Sequence, residues 1–288
     1  MFSDWDEYHL IDNKLAELAR SLPESDLGEV VSYILRSPGK RVRPLILIFS
    51  AQAFGAKASQ AIDAAIAIEL VHAASLVHDD ILDYGVERRG SQSSMKRFGP
   101  EASLLAGDYL ISQSIELISG FGQPVIRCFA RACMSMSEGE MLDLSSACAP
   151  EDYYSCVSKK TASLFAASAK IGCLMACALP EDVSLFESYG MHLGLAYQIL
   201  DDLEESLGIE QGKASEKTSV TLPRIYGSLC PETALQMCIK AIDHHRSLAK
   251  EALRESSADA GMKARLDCII DEMTCQGLDR CRSQKSLC

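Results

Sequence analysis

Apolar side chains recur along most of the chain at the three- and four-residue spacing of α-helices. The longest such stretch covers residues 57–84, which contain neither Gly nor Pro. Its apolar positions recur at helical spacing and are Ile62, Ile66, Leu70, Val71, Ala74 and Val77. Strand-like alternation of apolar and polar positions is hard to find, so the pattern predicts an all-α protein.

The same spacing predicts nine further helices, over residues 8–21, 26–36, 41–54, 101–119, 124–147, 151–178, 181–206, 231–254 and 259–274. The nine prolines fall at or near the boundaries of these segments. The stretch most like a loop is 207–220, which contains Gly208, Gly212, Ser215 and Ser219. No low-complexity linker or internal repeat divides the chain, so we expect one domain over residues 1–288.

Composition and charge narrow the classes of function. With 48% hydrophobic and 24% charged residues, the sequence is typical of a soluble globular protein. The most apolar long stretch, 161–180, contains Lys170 and many small residues, which favours a buried helix over a membrane span. The acidic N-terminus does not resemble a secretory signal, and the twelve cysteines lack zinc-site spacing, so we expect a cytoplasmic protein. The net charge of −12 disfavours nucleic acid as a partner.

Three carboxylates mark the end of the long helix. Asp79 and Asp83 lie about 40° apart on one helical face, and Asp80 flanks them. Carboxylates this close repel one another unless cations bind there. An oxygen-only set suits Mg²⁺, a hard ion that substrate phosphates commonly help to coordinate. Taken alone, however, the cluster is better explained as a solvated helix end.

A second cluster repeats this spacing and changes the interpretation. Asp201, Asp202 and Glu205 follow the segment 197–200 (YQIL). Both clusters end apolar helices, which would place their carboxylates at the rim of a cavity lined by apolar residues. Two facing acidic rims can hold several divalent ions around one diphosphate. The pair of clusters is far more specific than either member.

Basic residues accompany the two clusters. The segment 88–90 (RRG) follows the first cluster and 212–213 (GK) follows the second, while 159–161 (KKT) and 39–44 (GKRVRP) lie in otherwise apolar surroundings. Arg and Lys are the usual partners of phosphate groups. Each segment alone fits a solvated surface charge, but their order relative to the acidic clusters points to a diphosphate substrate.

These residues carry a resemblance to a known family. The sequence resembles the trans-isoprenyl diphosphate synthases (farnesyl, geranylgeranyl and longer polyprenyl diphosphate synthases), most clearly over residues 38–226. The matching motifs occur in the family's order: 39–44 (GKRVRP), 69–80 (ELVHAASLVHDD), 88–90 (RRG), 107–110 (GDYL), 138–143 (EGEMLD), 160–162 (KTA) and 197–202 (YQILDD). The resemblance implies a single-domain antiparallel helical bundle around a deep central cavity. It also implies a homodimeric prenyltransferase that condenses isopentenyl diphosphate with an allylic diphosphate.

Carried over residue by residue, the resemblance implies a role for each matching position. The ligands of Mg²⁺, with three ions expected when substrate is bound, would be Asp79, Asp83 and Asp201, supported by Asp80, Asp202 and Glu205. The allylic diphosphate would contact Arg88, Lys160 and Lys213. The diphosphate of isopentenyl diphosphate would contact Lys40, Arg43, His72 and Arg89. Thr161 and Gln198 would lie near the reacting carbons. Without the family pattern, His72 is better explained as a hydrogen-bonded helix histidine.

The sequence departs from the family pattern in three places. Glu205 stands where the second acidic motif usually ends in Asp, and its longer side chain can still ligate a cation. Glu140 replaces a common Gln and adds negative charge near the site. Ser219 stands where many relatives carry Lys, and Lys217 is a candidate substitute. These changes bear on metal geometry and loop closure rather than on the type of reaction.

Two small residues bear on product length. In this family, the residues four and five positions before the first Asp often form the floor of the cavity, and a bulky aromatic residue there stops elongation. Here these positions are Ser75 and Ala74. We therefore expect an all-trans product of at least C20, with C25 compatible with the same floor.

Three other functions compete with this hypothesis. A class I terpene cyclase shares the aspartate-rich helix, but its second metal motif normally carries Asn, Ser and Glu, and it does not need Lys40, Arg43 and Arg89. A non-catalytic subunit of a heteromeric synthase usually loses one acidic motif, whereas this chain keeps both. A purely structural bundle explains neither the paired clusters nor the cations.

Overall fold

The structure, a computed structural model, describes residues 2–88, 90–144, 149–209, 221–230 and 233–284. Within these ranges the chain forms thirteen α-helices: α1 (Asp6–Ser21), α2 (Asp26–Leu35), α3 (Val42–Gln52), α4 (Ala58–Leu82), α5 (Ser94–Phe98), α6 (Pro100–Ser119), α7 (Gln123–Asp143), α8 (Pro150–Val157), α9 (Ser163–Met175), α10 (Pro180–Ser206), α11 (Leu222–Leu229), α12 (Ala234–Glu255) and α13 (Ala260–Gln284). A π-helical segment (Ser158–Ala162) joins α8 to α9. The antiparallel strands β1 (Glu87–Arg88) and β2 (Ser91–Gln92) form a short ribbon. The prediction of an all-α protein is confirmed.

Helices α3 and α4 lie at the centre of the core. Residues 64–70 of α4 and 45–49 of α3 are buried without a break, so both helices are covered on all sides over these stretches. Such uniform burial explains why their sequences are apolar around the whole helix rather than along one stripe. By length and composition α4 could cross a membrane, with a mean hydropathy of 1.5, but 61% of that window is buried by neighbouring helices. It is the central helix of the bundle.

Glycines let the helices around this centre approach closely. A Cβ at Gly190 or Gly194 of α10 would clash with the backbone of Phe165 or Ala162, and one at Gly172 of α9 would clash with α3. The bundle is therefore closely packed where α10, α9 and α3 meet. This packing fixes the relation between the end of α10 and the segment that precedes α9. Both of these carry candidate site residues.

Most predicted helices appear near their expected bounds, and the differences have physical causes. The predicted helix 151–178 is divided into α8, the π-helical segment and α9. The predicted helix 259–274 continues to Gln284. Helices α5 and α11 and the ribbon were missed, because each is too short to show a period. The assignment of one domain to residues 1–288 stays a prediction.

Candidate active site

The first acidic cluster is held in place by the β ribbon. Asp79 and Asp80 lie in the last turn of α4, and Asp83 follows that helix. Arg88 of β1 donates two hydrogen bonds to the buried Asp80 carboxylate, from Nε at 2.8 Å and from Nη2 at 2.7 Å. A Cβ at Gly85 would lie 2.7 Å from Asp80 Oδ1, so glycine leaves room for this carboxylate. Asp80 is thus fixed by a bidentate ion pair within the protein.

Asp79 lies in a different environment from its neighbour. Burial raises the pKa of Asp79 to about 7, because it outweighs the nearby Lys160 charge that lowers it, and the Glu140 carboxyl adds to the rise. Lys160 Nζ itself contacts Glu140 Oε2 at 2.5 Å and Asp143 Oδ2 at 2.8 Å. Burial alone would lower the pKa of Lys160, but Asp79, Asp143 and Glu140 outweigh it and raise that pKa. One partly buried cation therefore faces three carboxyl groups.

The π-helical segment presents Lys160 and Thr161 to this region. A π-helix carries an extra residue in its turn, and such segments occur frequently at functional sites. Gly139 of α7 packs directly against the backbone at Lys159 and Lys160, where a Cβ would clash. The segment 138–143 (EGEMLD) is one of the motifs that carry the family resemblance. Its close packing against Lys159 and Lys160 explains why its second residue, Gly139, is a glycine. The pattern of apolar residues gave no sign of the π-helical turn itself.

The second acidic cluster reaches the same segment from α10. Thr161 Oγ1 donates to Gln198 Oε1 at 3.0 Å, and Gln198 Nε2 donates to Asp202 Oδ1 at 2.9 Å. Tyr153 of α8 donates its hydroxyl to Asp202 Oδ2 at 2.5 Å. Burial, together with the Asp202 charge, raises the pKa of Tyr153 well above its usual value, so the phenol stays protonated. Asp202, like Asp80, is held by donors within the protein.

The two clusters therefore flank one segment of the chain. Asp79 lies close to Lys160, while Asp202 is linked through Gln198 to the adjacent Thr161. Burial is the main cause that raises the pKa of the Cys156 thiol to about 11. The charges of four further residues also act on this pKa: Asp143, Lys160, Glu140 and Asp202. Asp202 of the second cluster and the groups around Lys160 thus lie within electrostatic range of a single side chain.

A basic group lies beside the second cluster. Lys40, Tyr197 and Asp201 line one cavity of about 140 Å³, together with residues of α13. The Lys40 ammonium is 5.7 Å from the centre of the Tyr197 ring. Arg43 Nη1 is 3.1 Å from His72 Nε2, and its guanidinium lies 4.2 Å from the centre of the Phe165 ring. These cations come from the start of α3 and the loop before it.

Several site residues were not identified from the sequence. Tyr153 and Asp143 complete the partners of Asp202 and Lys160, and Arg280 of α13 donates two hydrogen bonds, at 2.9 and 2.6 Å, to the buried Glu204. Only Asp143 lies in a motif that the sequence pointed to. Four candidates, Arg89, Lys213, Lys217 and Ser219, lie outside the described residues.

The predicted floor residues lie deeper on α4. Ala74 is fully buried, while the partly buried Ser75 donates its hydroxyl to the His72 carbonyl at 2.8 Å. They precede Asp79 by about one helical turn. Substrate that enters at the Asp79 end would thus meet small side chains next along this helix.

The carboxylates do not form a closed cage for a cation. Within the described ranges, no three His, Cys, Asp or Glu side chains converge closely enough to hold a metal ion by themselves. Mg²⁺ is usually bound by one or two carboxylates, and waters and substrate phosphates complete its shell. The carboxylate oxygens that α4 and α10 present at their C-terminal ends are the donor type that a cation bound in this way requires.

The chain is similar to proteins of known family over most of its length. A family model described as polyprenyl synthetase matches residues 24–255. The chain is 41% identical to the geranylfarnesyl diphosphate synthase of Methanosarcina mazei, over 96% of this chain and 95% of that protein. It is 34% identical to the geranylgeranyl diphosphate synthase of Sulfolobus acidocaldarius, over 90% of this chain and 85% of that protein.

A solved structure agrees with these relatives. The crystal structure of a geranyltranstransferase from Methanosarcina mazei superposes with a TM-score of 0.84 at 38% identity, over 96% of this chain and 100% of that one. The family model, the relatives and this structure each cover most of the chain. The chain belongs to the polyprenyl synthetase family of trans-prenyltransferases.

Proposed function

We propose that this enzyme condenses isopentenyl diphosphate with an allylic diphosphate to give an all-trans prenyl diphosphate and inorganic diphosphate. The observation that supports this most directly is the approach of two acidic clusters to Lys160 and Thr161, beside a basic loop. Carboxylates and cations in one buried region suit a diphosphate that leaves with growing negative charge. The names of the relatives from Methanosarcina mazei and Sulfolobus acidocaldarius describe products of the same class.

Under this proposal, Mg²⁺ binds where the two clusters meet. Asp79, Asp83 and Asp201 would hold it, with three ions expected in the substrate complex. When bound, the cations would neutralise charge on the departing diphosphate. Asp80 and Asp202 would act by orientation, because their oxygens already accept hydrogen bonds from Arg88 and from Tyr153 and Gln198.

The chain's own cations would bind the two diphosphates. Lys160 and Arg88 lie beside Asp79 and would contact the allylic diphosphate, together with Lys213. Lys40, Arg43, His72 and Arg89 would contact isopentenyl diphosphate. The hydrogen bond between Thr161 and Gln198 would direct polar groups towards the developing carbocation.

The bond changes follow from these positions. The bond between the allylic carbon and its diphosphate oxygen breaks, and the double bond of isopentenyl diphosphate attacks the resulting cation. A new carbon–carbon bond forms, and a proton then leaves the new cation, with the released diphosphate as its proposed acceptor. Water would have to be excluded during this step, because it otherwise converts the cation to an alcohol.

We further propose a product of C20 or longer, with C25 included. The small side chains of Ala74 and Ser75 would let the growing chain pass along α4. The relative that is 41% identical carries the name of a C25 synthase, which agrees with this range. Ala74→Phe should shorten the main product, while Ser75→Ala, which adds no bulk, should leave it unchanged. Identical product lengths in wild type and Ala74→Phe would place the floor elsewhere.

The proposed enzyme is a homodimer in the cytoplasm. Leu104 and Ile115 of α6, and Met134 and Met141 of α7, expose large apolar side chains at spacings that keep each pair on one helical face. A second copy would cover them. The ten cysteines among the described residues are free thiols, as a reducing compartment would keep them. Light scattering would contradict the dimer if the mass were 31.3 kDa, that of one chain.

The decisive test is incubation of the purified chain alone with Mg²⁺, isopentenyl diphosphate and C5, C10, C15 or C20 primers. We expect elongated prenyl diphosphates only when both substrates are present. A hydrocarbon formed from the allylic diphosphate alone would indicate a terpene cyclase. Elongation that appears only after a second protein is added would indicate a subunit of a heteromeric synthase.

A further inference from the structure

The loop before α3 contains a strained residue in the middle of its basic motif. Arg41 has φ 53° and ψ 30°, in the left-handed region. For a residue with a side chain this conformation costs about 1–2 kcal/mol. It persists only where surrounding contacts determine it. Arg41 lies directly between Lys40 and Arg43, two of the residues proposed to bind isopentenyl diphosphate, yet it is itself turned into the protein.

The contacts of Arg41 account for this strained backbone. Its Nη1 donates to Glu69 Oε1 at 2.8 Å, its Nε to Asp12 Oδ1 at 3.0 Å, and its Nη2 to the Ser37 carbonyl at 3.0 Å. The side chains of Arg41 and Glu69 are only 9% and 8% exposed. A planar guanidinium can satisfy three acceptors in different directions, which an ammonium cannot do with the same geometry.

The N-terminal helix holds the loop on both sides of Lys40. Tyr8 of α1 donates its hydroxyl to the Gly39 carbonyl at 3.0 Å. Asp12, one turn later on α1, accepts from Arg41. With both neighbours of Lys40 fixed, its side chain is left to line the cavity that it shares with Tyr197 and Asp201.

A second pair of contacts fixes the loop against α4. Arg41 pairs with Glu69, and two residues later Arg43 Nη1 lies 3.1 Å from His72 Nε2, one turn further along α4. These two parallel contacts set the register between the basic motif and the helix that carries Asp79. A buried ion pair is by itself weak evidence for a role in stability, since packed apolar residues often serve equally well. A role in positioning explains why a charged pair is placed here.

We propose that Arg41 and Glu69, with Tyr8 and Asp12 of α1, are positioning residues that orient Lys40 and Arg43 towards isopentenyl diphosphate. This inference rests on the proposed function for the roles of Lys40 and Arg43. It assigns to α1 a part in substrate binding, although none of the α1 residues named here touches the substrate.

The test compares KM for isopentenyl diphosphate in four single variants of the full-length enzyme. Arg41→Lys should raise this KM about 10-fold and Tyr8→Phe about 3-fold, as expected for lost charged and neutral hydrogen bonds. The KM for the allylic substrate and kcat should stay within about 2-fold, because Lys40 and Arg43 are proposed to contact isopentenyl diphosphate and not the allylic substrate. Lys40→Ala, which removes the binding group itself, should raise KM at least as much as Arg41→Lys.

Glu7→Gln is the matched control. Glu7 is also a buried acid of α1, but it contacts Arg265 at 2.7 Å and Gln52 at 3.2 Å, away from the basic loop. Its substitution should lower stability and leave KM for isopentenyl diphosphate unchanged. A general weakening of α1 would instead raise KM in Glu7→Gln as much as in Arg41→Lys, and would overturn the proposal.

Hydrogen exchange provides a readout that needs no substrate. Amides of residues 37–43 should exchange faster in Arg41→Lys and Tyr8→Phe than in wild type or Glu7→Gln. If Lys40→Ala raises KM but Arg41→Lys and Tyr8→Phe change neither KM nor exchange, the positioning proposal alone is wrong. If Lys40→Ala leaves KM unchanged, the proposed role of Lys40 fails and its positioning fails with it.

Discussion

The two acidic clusters share their spacing and differ in the groups that secure them. At the end of α4, Asp80 is held by the charged guanidinium of Arg88. At the end of α10, Asp202 accepts hydrogen bonds from the neutral side chains of Tyr153 and Gln198. In both clusters the second aspartate accepts hydrogen bonds from the protein, while Asp79 lies close to Lys160 and Asp201 lines the cavity that contains Lys40.

This difference suggests separate roles for neighbouring residues of one motif: the second aspartate orients the helix end, and the first takes part in the chemistry. A carboxylate that accepts two well-placed hydrogen bonds is oriented, and it can in turn orient the helix end that carries its neighbour. Arg88 compensates the charge of Asp80, whereas Tyr153 and Gln198, which donate to Asp202, are neutral side chains. We therefore expect Asp80 to matter most for stability and Asp79 and Asp201 for catalysis.

Asp79→Asn or Asp201→Asn should have the largest effect. Either change removes a carboxylate proposed to bind the Mg²⁺ that would stabilise the departing diphosphate, so kcat/KM should fall by about 10³-fold or more. Steady-state assays with labelled isopentenyl diphosphate measure this. Asp63→Asn, which alters an acid near the other end of α4, is the control and should retain activity. Near-normal turnover in Asp79→Asn would refute the claim that the first aspartate of each cluster is needed for catalysis.

Asp80→Asn should cost more stability than Asp202→Asn. The first change breaks a bidentate pair with Arg88 and should lower the free energy of unfolding by about 3 kcal/mol. The second keeps an oxygen that can accept from neutral donors, so we expect a loss of about 1 kcal/mol. Urea unfolding of both variants, without metal, compares them directly. Equal losses would show that charge compensation does not distinguish the clusters.

The helices behind the second cluster should make stability sensitive to acid. His192 of α10 and His245 of α12 place their Nδ1 atoms 3.0 Å apart. Burial, with the nearby His192 and His244, lowers the pKa of His245 to about 4. The folded state therefore binds fewer protons than the unfolded state, in which the pKa is about 6.5. The free energy of unfolding is therefore highest, as far as His245 is concerned, above pH 6.5, and it decreases as the pH falls towards 4.

Relative to His245→Gln, the wild type should thus lose about 1–2 kcal/mol of unfolding free energy between pH 7 and pH 5. Urea unfolding at the two pH values measures the difference. His9→Gln, in α1, changes a histidine outside this pair and serves as the control. If the unfolding free energy of the wild type instead rose relative to that of His245→Gln on acidification, the prediction would be wrong.

Tyr153→Phe should give the smallest change. It removes the hydroxyl that donates to Asp202 but keeps the buried ring and the Gln198 contact. We expect a loss of about 1 kcal/mol in unfolding free energy and a smaller loss of kcat than in Asp201→Asn. Thermal unfolding and initial rates provide both numbers. A kcat as low as that of Asp201→Asn would make Tyr153 part of the chemistry.

The sequence predicted the elements whose patterns are long. Helix α4 repeats its apolar spacing over many turns, so its existence was clear from residues 57–84 alone. The π-helical segment was missed because the sequence on both sides of it is helical, and one inserted residue hardly disturbs the pattern. Local periodicity cannot reveal a single change of helical turn.

The site was predicted as far as its residues form motifs. The aspartates and the basic groups were found because like and opposite charges recur in a fixed order. Their partners were not, since Tyr153 lies 49 residues before Asp202, and Arg280 lies 76 residues after Glu204. Such pairs are created by tertiary packing. The role of Arg41 was not predicted for another reason. It lies in a basic motif, and only the direction of its side chain, which the sequence does not show, distinguishes it from its neighbours.

The central claim is that one bound diphosphate, with its metal ions, engages both acidic clusters. Calorimetric titration of inorganic diphosphate in the presence of Mg²⁺ tests it in the wild type, Asp79→Asn, Asp201→Asn and the double variant. If both clusters act on one ligand, the losses in binding free energy should be strongly non-additive, with the double variant little weaker than either single one. Strictly additive losses, or a single variant that binds like the wild type, would contradict a shared site.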